Sequence, residues 1–268
     1  MTGIEICNIL KDAGIESYAF DTRVLCEELC GGYSDERDYN SGELISAVRK
    51  RAEGYPLQYI LGKWWFWDCV FDVSPDCLIP RADTEIIVEK AIKLLPKGAA
   101  FADLCAGSGC IGISVLHARK DTVCDAYELY PKTLEIAIGN ANKNQVDNRY
   151  NGILGDVLKA DTLGEKKYHA IISNPPYIRS DIIPTLSREV GYEPRAALDG
   201  GLDGLIFYRA IIDNFYNNLY DGGAFIFEIG YDQADDLISM ANEKNLSCEV
   251  IKDLSKNDRC VIIYKDNA

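Results

Sequence analysis

Asn174-Pro175-Pro176-Tyr177 closes the apolar run Tyr168–Ser173, and its atoms suit the gripping of a planar NH2 group. The Asn174 side-chain oxygen is one hydrogen-bond acceptor and the Pro175 carbonyl a second, while neither Pro175 nor Pro176 carries an N–H that would compete. The Tyr177 ring is suited to lie on the flat face of an amide or base and hold its nitrogen toward an electrophile. The chemistry this describes is methyl transfer to nitrogen. Read structurally, the same residues would be a proline turn closing a core strand.

A second set of residues is spread over three turns. Cys105-Ala106-Gly107-Ser108-Gly109 is a glycine-rich stretch preceded by Asp103, in which Gly107 and Gly109 let the backbone approach a ligand closely and the following helix supplies N–H donors. Glu128 follows roughly 20 residues later, where an acidic side chain can accept bonds from both hydroxyls of a ribose. Asp156 forms the third acidic turn. Each carboxylate alone could be a helix cap, and Gly107-x-Gly109-x-x-Gly112 alone also fits a dinucleotide fingerprint. Three acids at successive strand ends suit S-adenosylmethionine, which offers a cationic methionine portion, a ribose and an adenine amine.

These residues need strands to deliver them, and the pattern from Ala99 onward provides them. Strand and helix signals alternate: Ala99–Leu104, Thr122–Leu129, Ile153–Asp156 and the run ending at Ser173 are strands separated by helices, which predicts a parallel sheet covered on both faces. Two successive prolines cannot continue a central strand, so the chain leaves the sheet at Asn174. Ligands of such sheets bind beyond the carboxyl ends of the strands. A long irregular loop then runs to Gly204 as a rim over the acceptor, followed by a helix at Leu205–Leu219, a strand at Ala224–Ile229, a helix at Gln233–Asn242 and a hairpin of Ser247–Ile251 with Cys260–Tyr264. Upstream, apolar residues at spacings of three and four predict three short helices within residues 2–53, with Ser41 as an N-cap. The aromatic stretch Lys63–Val73 reads as a strand pair joining this helical part to the rest, its tryptophans used in packing. Asp83 or Thr84 is expected to cap the helix that holds Ile86, Ile87 and Val88.

Composition narrows the partners. The formal charge is −14, and a protein gripping duplex nucleic acid needs a basic stripe, so direct DNA binding is not expected. No apolar run is long enough to span a bilayer and no leader is evident, so a cytoplasmic protein without membrane contact is expected. The ten cysteines include no Cys-x-x-Cys pair, which favours reduced thiols, and His117 and His169 lack metal-ligand spacing, so no metal is expected.

Taken together, the motifs resemble those of the PrmC/HemK family, protein-(glutamine-N5) methyltransferases of peptide-chain release factors. The resemblance spans nearly the whole chain and rests on Pro56–Gly62, Leu78–Glu85, Asp103–Gly109, Asn174–Tyr177, Glu193–Gly201 and Phe227-Glu228-Ile229-Gly230. It implies an α/β fold, a class I, Rossmann-like, seven-stranded S-adenosylmethionine-dependent methyltransferase domain with a small all-helical N-terminal domain. The corresponding boundaries are 1–62 for a helical substrate-docking domain, 63–80 for a β-hairpin linker and 81–268 for the methyltransferase domain. It also implies methionine contacts at Cys105, Ala106, Gly107, Ser108 and Gly109, ribose contact at Glu128, adenine-pocket contacts at Asp156 and Val157, and acceptor contacts at Asn174, Pro175, Pro176 and Tyr177. The acceptor would be the glutamine of the Gly-Gly-Gln motif of class I release factors and S-adenosylhomocysteine the product; apart from the resemblance, a monomer is expected, although the sequence does not fix the oligomeric state. Cys105 stands where the family commonly has Gly, Glu128 where it often has Asp, and Ala82 where it has Pro. Rival readings are an adenine-N6 methyltransferase acting on nucleic acid, for which the tip would serve a flipped base equally well, a noncatalytic S-adenosylmethionine-binding protein, and a nicotinamide oxidoreductase.

Overall fold

The structure, a computed structural model, describes residues 1–266 and divides into two compact units. One comprises Met1–Lys63 with Leu186–Glu193, the other Trp64–Thr185 with Pro194 onward.

The first unit is helical, with α1 (Gly3–Asp12), α2 (Tyr18–Cys30), α3 (Gly42–Ala52) and a short α4 (Leu57–Leu61). Local chemistry sets its ends. Thr2 and Glu5 form a reciprocal capping box on α1, and the Ser41 hydroxyl accepts from the Leu44 amide at 3.3 Å, as its sequence position predicts. Gly31 and Gly62 close α2 and α4 in the left-handed conformation. At the centre of the unit the Arg51 guanidinium is buried and pairs with Asp21 at 2.5 Å and with Glu189 at 2.6 Å. That pair, together with the edge-on packing of Tyr192 against Tyr55, explains why 186–193 leaves the second unit. The boundary of 81–268 drawn from sequence takes no account of this excursion, because it depends on contacts more than a hundred residues apart.

The second unit begins at Trp64, inside a hairpin of β1 (Lys63–Phe66) and β2 (Cys69–Asp72). Residues 63–80 do not behave as one linker. Asn140 and Asn144 side chains bond the backbone of Asp72 and Val70 and pin the hairpin to α7 (Pro131–Lys143), and the chain is no longer strand after Asp72. Next come α5 (Glu85–Leu94), β3 (Ala100–Leu104), α6 (Cys110–Ala118), β4 (Val123–Glu128), and, after α7, β5 (Tyr150–Leu154) and β6 (Tyr168–Ser173). The remaining elements are α8 (Ile206–Phe215), β7 (Leu219–Glu228), α9 (Ala234–Glu243), β8 (Ser247–Lys252) and β9 (Asp258–Tyr264). The helix expected over Leu205–Leu219 ends sooner, and the strand expected from Ala224 already starts at Leu219. Asp221-Gly222-Gly223 is an irregularity inside β7, absorbed by Gly222 at φ 74°.

The seven strands lie in the order β5-β4-β3-β6-β7-β9-β8, and β9 is the one antiparallel to its neighbours. The strand order reverses between β3 and β6, which opens a crevice at their carboxyl ends. Near-continuous apolar runs on the central strands reflect cover on both faces. α8 and α9 pack Tyr208, Ile211, Phe215 and Leu237 against Ile171, Phe225 and Phe227 on one face, and α5, α6 and α7 cover the other.

Candidate active site

Register places the chemistry. Leu104 pairs with Ser173 and Ser173 with Phe227, so Cys105, Asn174 and Glu228 emerge side by side at one sheet edge. The Ser173 hydroxyl donates to the Leu104 carbonyl at 2.7 Å, locking the two turns together where β3 and β6 part. On the other side Glu128 pairs with Leu154, which brings Gly155 and Asp156 level with the glycine-rich turn.

A cleft follows this line. Cys105 to Ser108, Glu128, Asp156, Val157, Asn174 and Pro176 are all on its wall. Asp103, Gly109, Pro175 and Tyr177 are not among the residues that line it. Asp103 is fully buried, and its Oδ2 accepts from the Gly112 amide at 2.9 Å in the first turn of α6. Burial, with the nearby Glu128 charge adding to it, pushes the Asp103 carboxyl up to about 8. Asp103 therefore supports the turn from beneath. Gly109 is held at φ 80°, and a Cβ there would meet Ile113 at 2.8 Å and the Tyr150 hydroxyl at 2.9 Å. Tyr177 packs its ring against the core and turns its hydroxyl to Glu228 Oε1 at 3.3 Å, where the sequence suggested a ring lying along the acceptor.

The turn itself is held by Glu128. Its Oε2 accepts from the Gly107 amide at 2.9 Å and its Oε1 from the Tyr130 amide at 3.0 Å. One lone pair on each oxygen is left for a diol. Gly107 stands at φ 57°, and a Cβ built on it meets nothing closer than the Cys105 carbonyl at 4.0 Å, so a side chain there would fill space that the glycine leaves to a ligand. Cys105 adopts φ 58° without the freedom of glycine. Burial drives its thiol, and that of Cys110, well up, so both stay protonated beside the cleft. All ten cysteines are thiols.

Three features were not legible from sequence patterns. Thr84 makes no cap bond to α5. Its hydroxyl instead accepts from Asn174 Nδ2 at 3.3 Å, because a single 3-10 turn over Ala82–Thr84 leads into α5 and rotates that side chain toward the sheet edge. Glu228, quoted above only as part of a family motif, stands beside Asn174 at the end of the adjacent strand, 2 % exposed. The segment Asp76–Arg81 forms a wall of the cleft. The long loop expected as a rim contributes Pro194, Ala196 and Ala197 to that wall, and an isolated parallel bridge between Ile178 and Asp199 ties its two ends together. Among the described residues no cluster of three or more His, Cys, Asp or Glu could hold a metal ion, and no helix is long and apolar enough to cross a membrane.

Comparison with known proteins agrees with the geometry. The family model "Methyltransferase small domain" matches residues 83–187. A release factor glutamine methyltransferase of Clostridium botulinum is 34% identical over 96% of this chain and 96% of its own length. That of Caulobacter vibrioides is 34% identical over 96% of this chain and 93% of its own. Among solved structures, the hMettl16 catalytic domain in complex with a 3′UTR hairpin superposes with a TM-score of 0.59 over 84% of this chain and 81% of that one, at 13% identity, a likeness of fold alone. With its crevice between β3 and β6, its acid-lined turns and relatives matched nearly end to end, the chain belongs to the release factor glutamine methyltransferase family.

Proposed function

We propose that this protein transfers the methyl group of S-adenosylmethionine to the side-chain amide nitrogen (N5) of the glutamine in the Gly-Gly-Gln motif of class I peptide-chain release factors, and so acts on translation termination. One observation carries the reading: Asn174 stands on the cleft wall next to the glycine-rich turn with its Nδ2 committed to Thr84, so its Oδ1 is the end offered to an acceptor NH2.

The residues fit the cofactor. The free lone pairs of Glu128 suit the ribose hydroxyls, Asp156 and Val157 the adenine, and the Cys105–Gly109 backbone, opened at Gly107, the methionine portion. Bound there, S-adenosylmethionine supplies an electrophilic methyl group. An amide nitrogen is a weak nucleophile because its lone pair is delocalised, so the protein must align it and stabilise the positive charge that develops on it. Asn174 Oδ1 and the Pro175 carbonyl accept from its two N–H groups and stabilise that charge, which is discharged when the methylated nitrogen gives one of those protons to water and S-adenosylhomocysteine departs. Tyr177, through its ring packing and its bond to Glu228, stiffens the tip that carries both acceptors. A protein acceptor agrees with the charge of −14, which opposes the approach of DNA, and the ten thiols suit the reducing cytoplasm.

The test is mass spectrometry of an unmethylated class I release factor incubated with the protein and S-adenosylmethionine, with adenine-containing DNA as a parallel acceptor. One methyl on the Gly-Gly-Gln glutamine is expected, and methyl on DNA alone would replace the reading with the adenine class. Asn174→Ala is expected to lower kcat by about a hundredfold or more while cofactor affinity stays within about twofold. Near-normal turnover would remove Asn174 from the mechanism.

A further inference from the structure

Behind Asn174 lies a second layer of polar groups that the transfer step does not itself use. Thr84 and Glu228 are each 2 % exposed. The Thr84 hydroxyl accepts from Asn174 Nδ2 at 3.3 Å and adjoins the Glu228 carboxylate, while Glu228 Oε2 is buried without a settled hydrogen-bond partner. A hydroxyl has one proton to give, a carboxylate can only accept, and a carboxamide has an accepting and a donating end of nearly the same shape. Asn174 could therefore fill its site in either of two orientations, and only one of them offers an oxygen to the acceptor.

We propose that Glu228 and Thr84 are positioning residues that select this orientation: the Glu228 carboxylate accepts the hydrogen bond of the Thr84 hydroxyl, Thr84 is left able only to accept from Asn174, and Asn174 must turn its NH2 to Thr84 and its Oδ1 to the glutamine. The proposal rests on the glutamine-methylation reading and deepens it. In the opposite orientation the Asn174 NH2 would face the NH2 of the substrate, donor against donor. The acceptor would then lose a hydrogen bond and the charge stabilisation that goes with it.

The relay has a built-in proton dependence. The groups facing Glu228 are Thr84 and Asp83 from the turn before α5, Tyr177 from the tip, Arg259 and Cys260 from β9, Cys110 from α6, and the Tyr208 hydroxyl of α8, which donates to the Glu228 backbone carbonyl at 2.8 Å. Burial outweighs the pull of Thr84, Arg259 and Tyr177 and raises the Glu228 carboxyl to about 7. Once protonated, Glu228 donates to Thr84, whose own proton then turns to Asn174 Oδ1 and favours the unproductive orientation. Methyl transfer should accordingly fall as pH drops through that value.

The experiment is single-turnover methyl transfer to an unmethylated class I release factor by the full-length protein, from roughly pH 5 to 9, for wild type, Thr84→Val, Thr84→Ser and Glu228→Gln. Cofactor affinity by calorimetry and melting temperature accompany each variant. Expected are a fall in the saturating single-turnover rate of about ten- to a hundredfold for Thr84→Val with cofactor affinity and the release-factor concentration for half-maximal rate within about twofold, recovery of most of the rate in Thr84→Ser, and loss of the acid limb in Glu228→Gln. An undiminished rate in Thr84→Val, an equal fall in Thr84→Ser, or an acid limb that persists in Glu228→Gln overturns the inference and leaves the functional reading intact. Absence of methyl on the glutamine with wild type overturns that reading, and this inference with it.

Discussion

Replacing Asp103 by asparagine should change how stability depends on pH. Asp103 is fully buried at the end of β3, with Oδ2 on the Gly112 amide and Oδ1 without a partner. Its carboxyl sits at about 8 in the folded protein against 3.8 for the ordinary side chain. Between those values the folded protein keeps a proton that the unfolded chain has released, so stability falls as pH rises through the window. About 1.4 kcal/mol per unit over about four units gives a cost on the order of 5 kcal/mol by pH 8. Asparagine keeps an oxygen for Gly112 and cannot ionise. Burying its NH2 costs about 1 kcal/mol, which does not vary with pH. Asp103→Asn should thus be equal to wild type or slightly weaker near pH 4 and the more stable of the two by several kcal/mol near pH 8. Urea unfolding of the cofactor-free proteins at a series of pH values measures the difference. A difference constant with pH, or one in which wild type gains as pH rises, would refute the argument.

Other substitutions probe the scaffold. Gly204 stands at φ 76°, and a Cβ there would collide with the Tyr177 carbonyl and come within 2.7 Å of the Gln233 amide. Gly204→Ala should cost several kcal/mol and displace the acceptor tip, visible as lowered melting temperature and lost transfer. Cys105→Gly should remove about 1 kcal/mol of left-handed strain, partly offset by the entropy of glycine in the unfolded chain, so thermal unfolding should show a small gain or no change and cofactor binding should persist. Arg51→Met leaves the Asp21 and Glu189 carboxylates without their shared cation. It should lose about 3–5 kcal/mol in urea unfolding, and a loss under about 1 kcal/mol would show the pair to be dispensable.

How much of this was legible in the chain varies with the range of the interaction. Adjacent prolines lack the N–H groups a central strand needs, so the end of β6 at Ser173 could be read locally. The glycines of the turn after β3, the acids at Glu128 and Asp156, and the Ser41 cap likewise follow from residue chemistry within a few positions. Thr84 shows where that reasoning stops. As a threonine ahead of a helix it has the sequence of a cap, yet the 3-10 turn before α5 hands its hydroxyl to Asn174, 90 residues away in sequence. Glu228 is similar, since nothing beside it in the chain marks an acid that burial will raise.

What the sequence by itself determined was the set of strand ends and the chemistry each would carry, because backbone donors, prolines, glycines and apolar periodicity act over a handful of residues. Only the tertiary structure decided which strand ends stand together. The order β4-β3-β6-β7 brings Glu128, Cys105, Asn174 and Glu228 to one edge, and the buried charge of Arg51 draws 186–193 out to the helical unit. Both outcomes depend on burying apolar faces and satisfying buried charges between segments far apart in the chain, which no local pattern encodes.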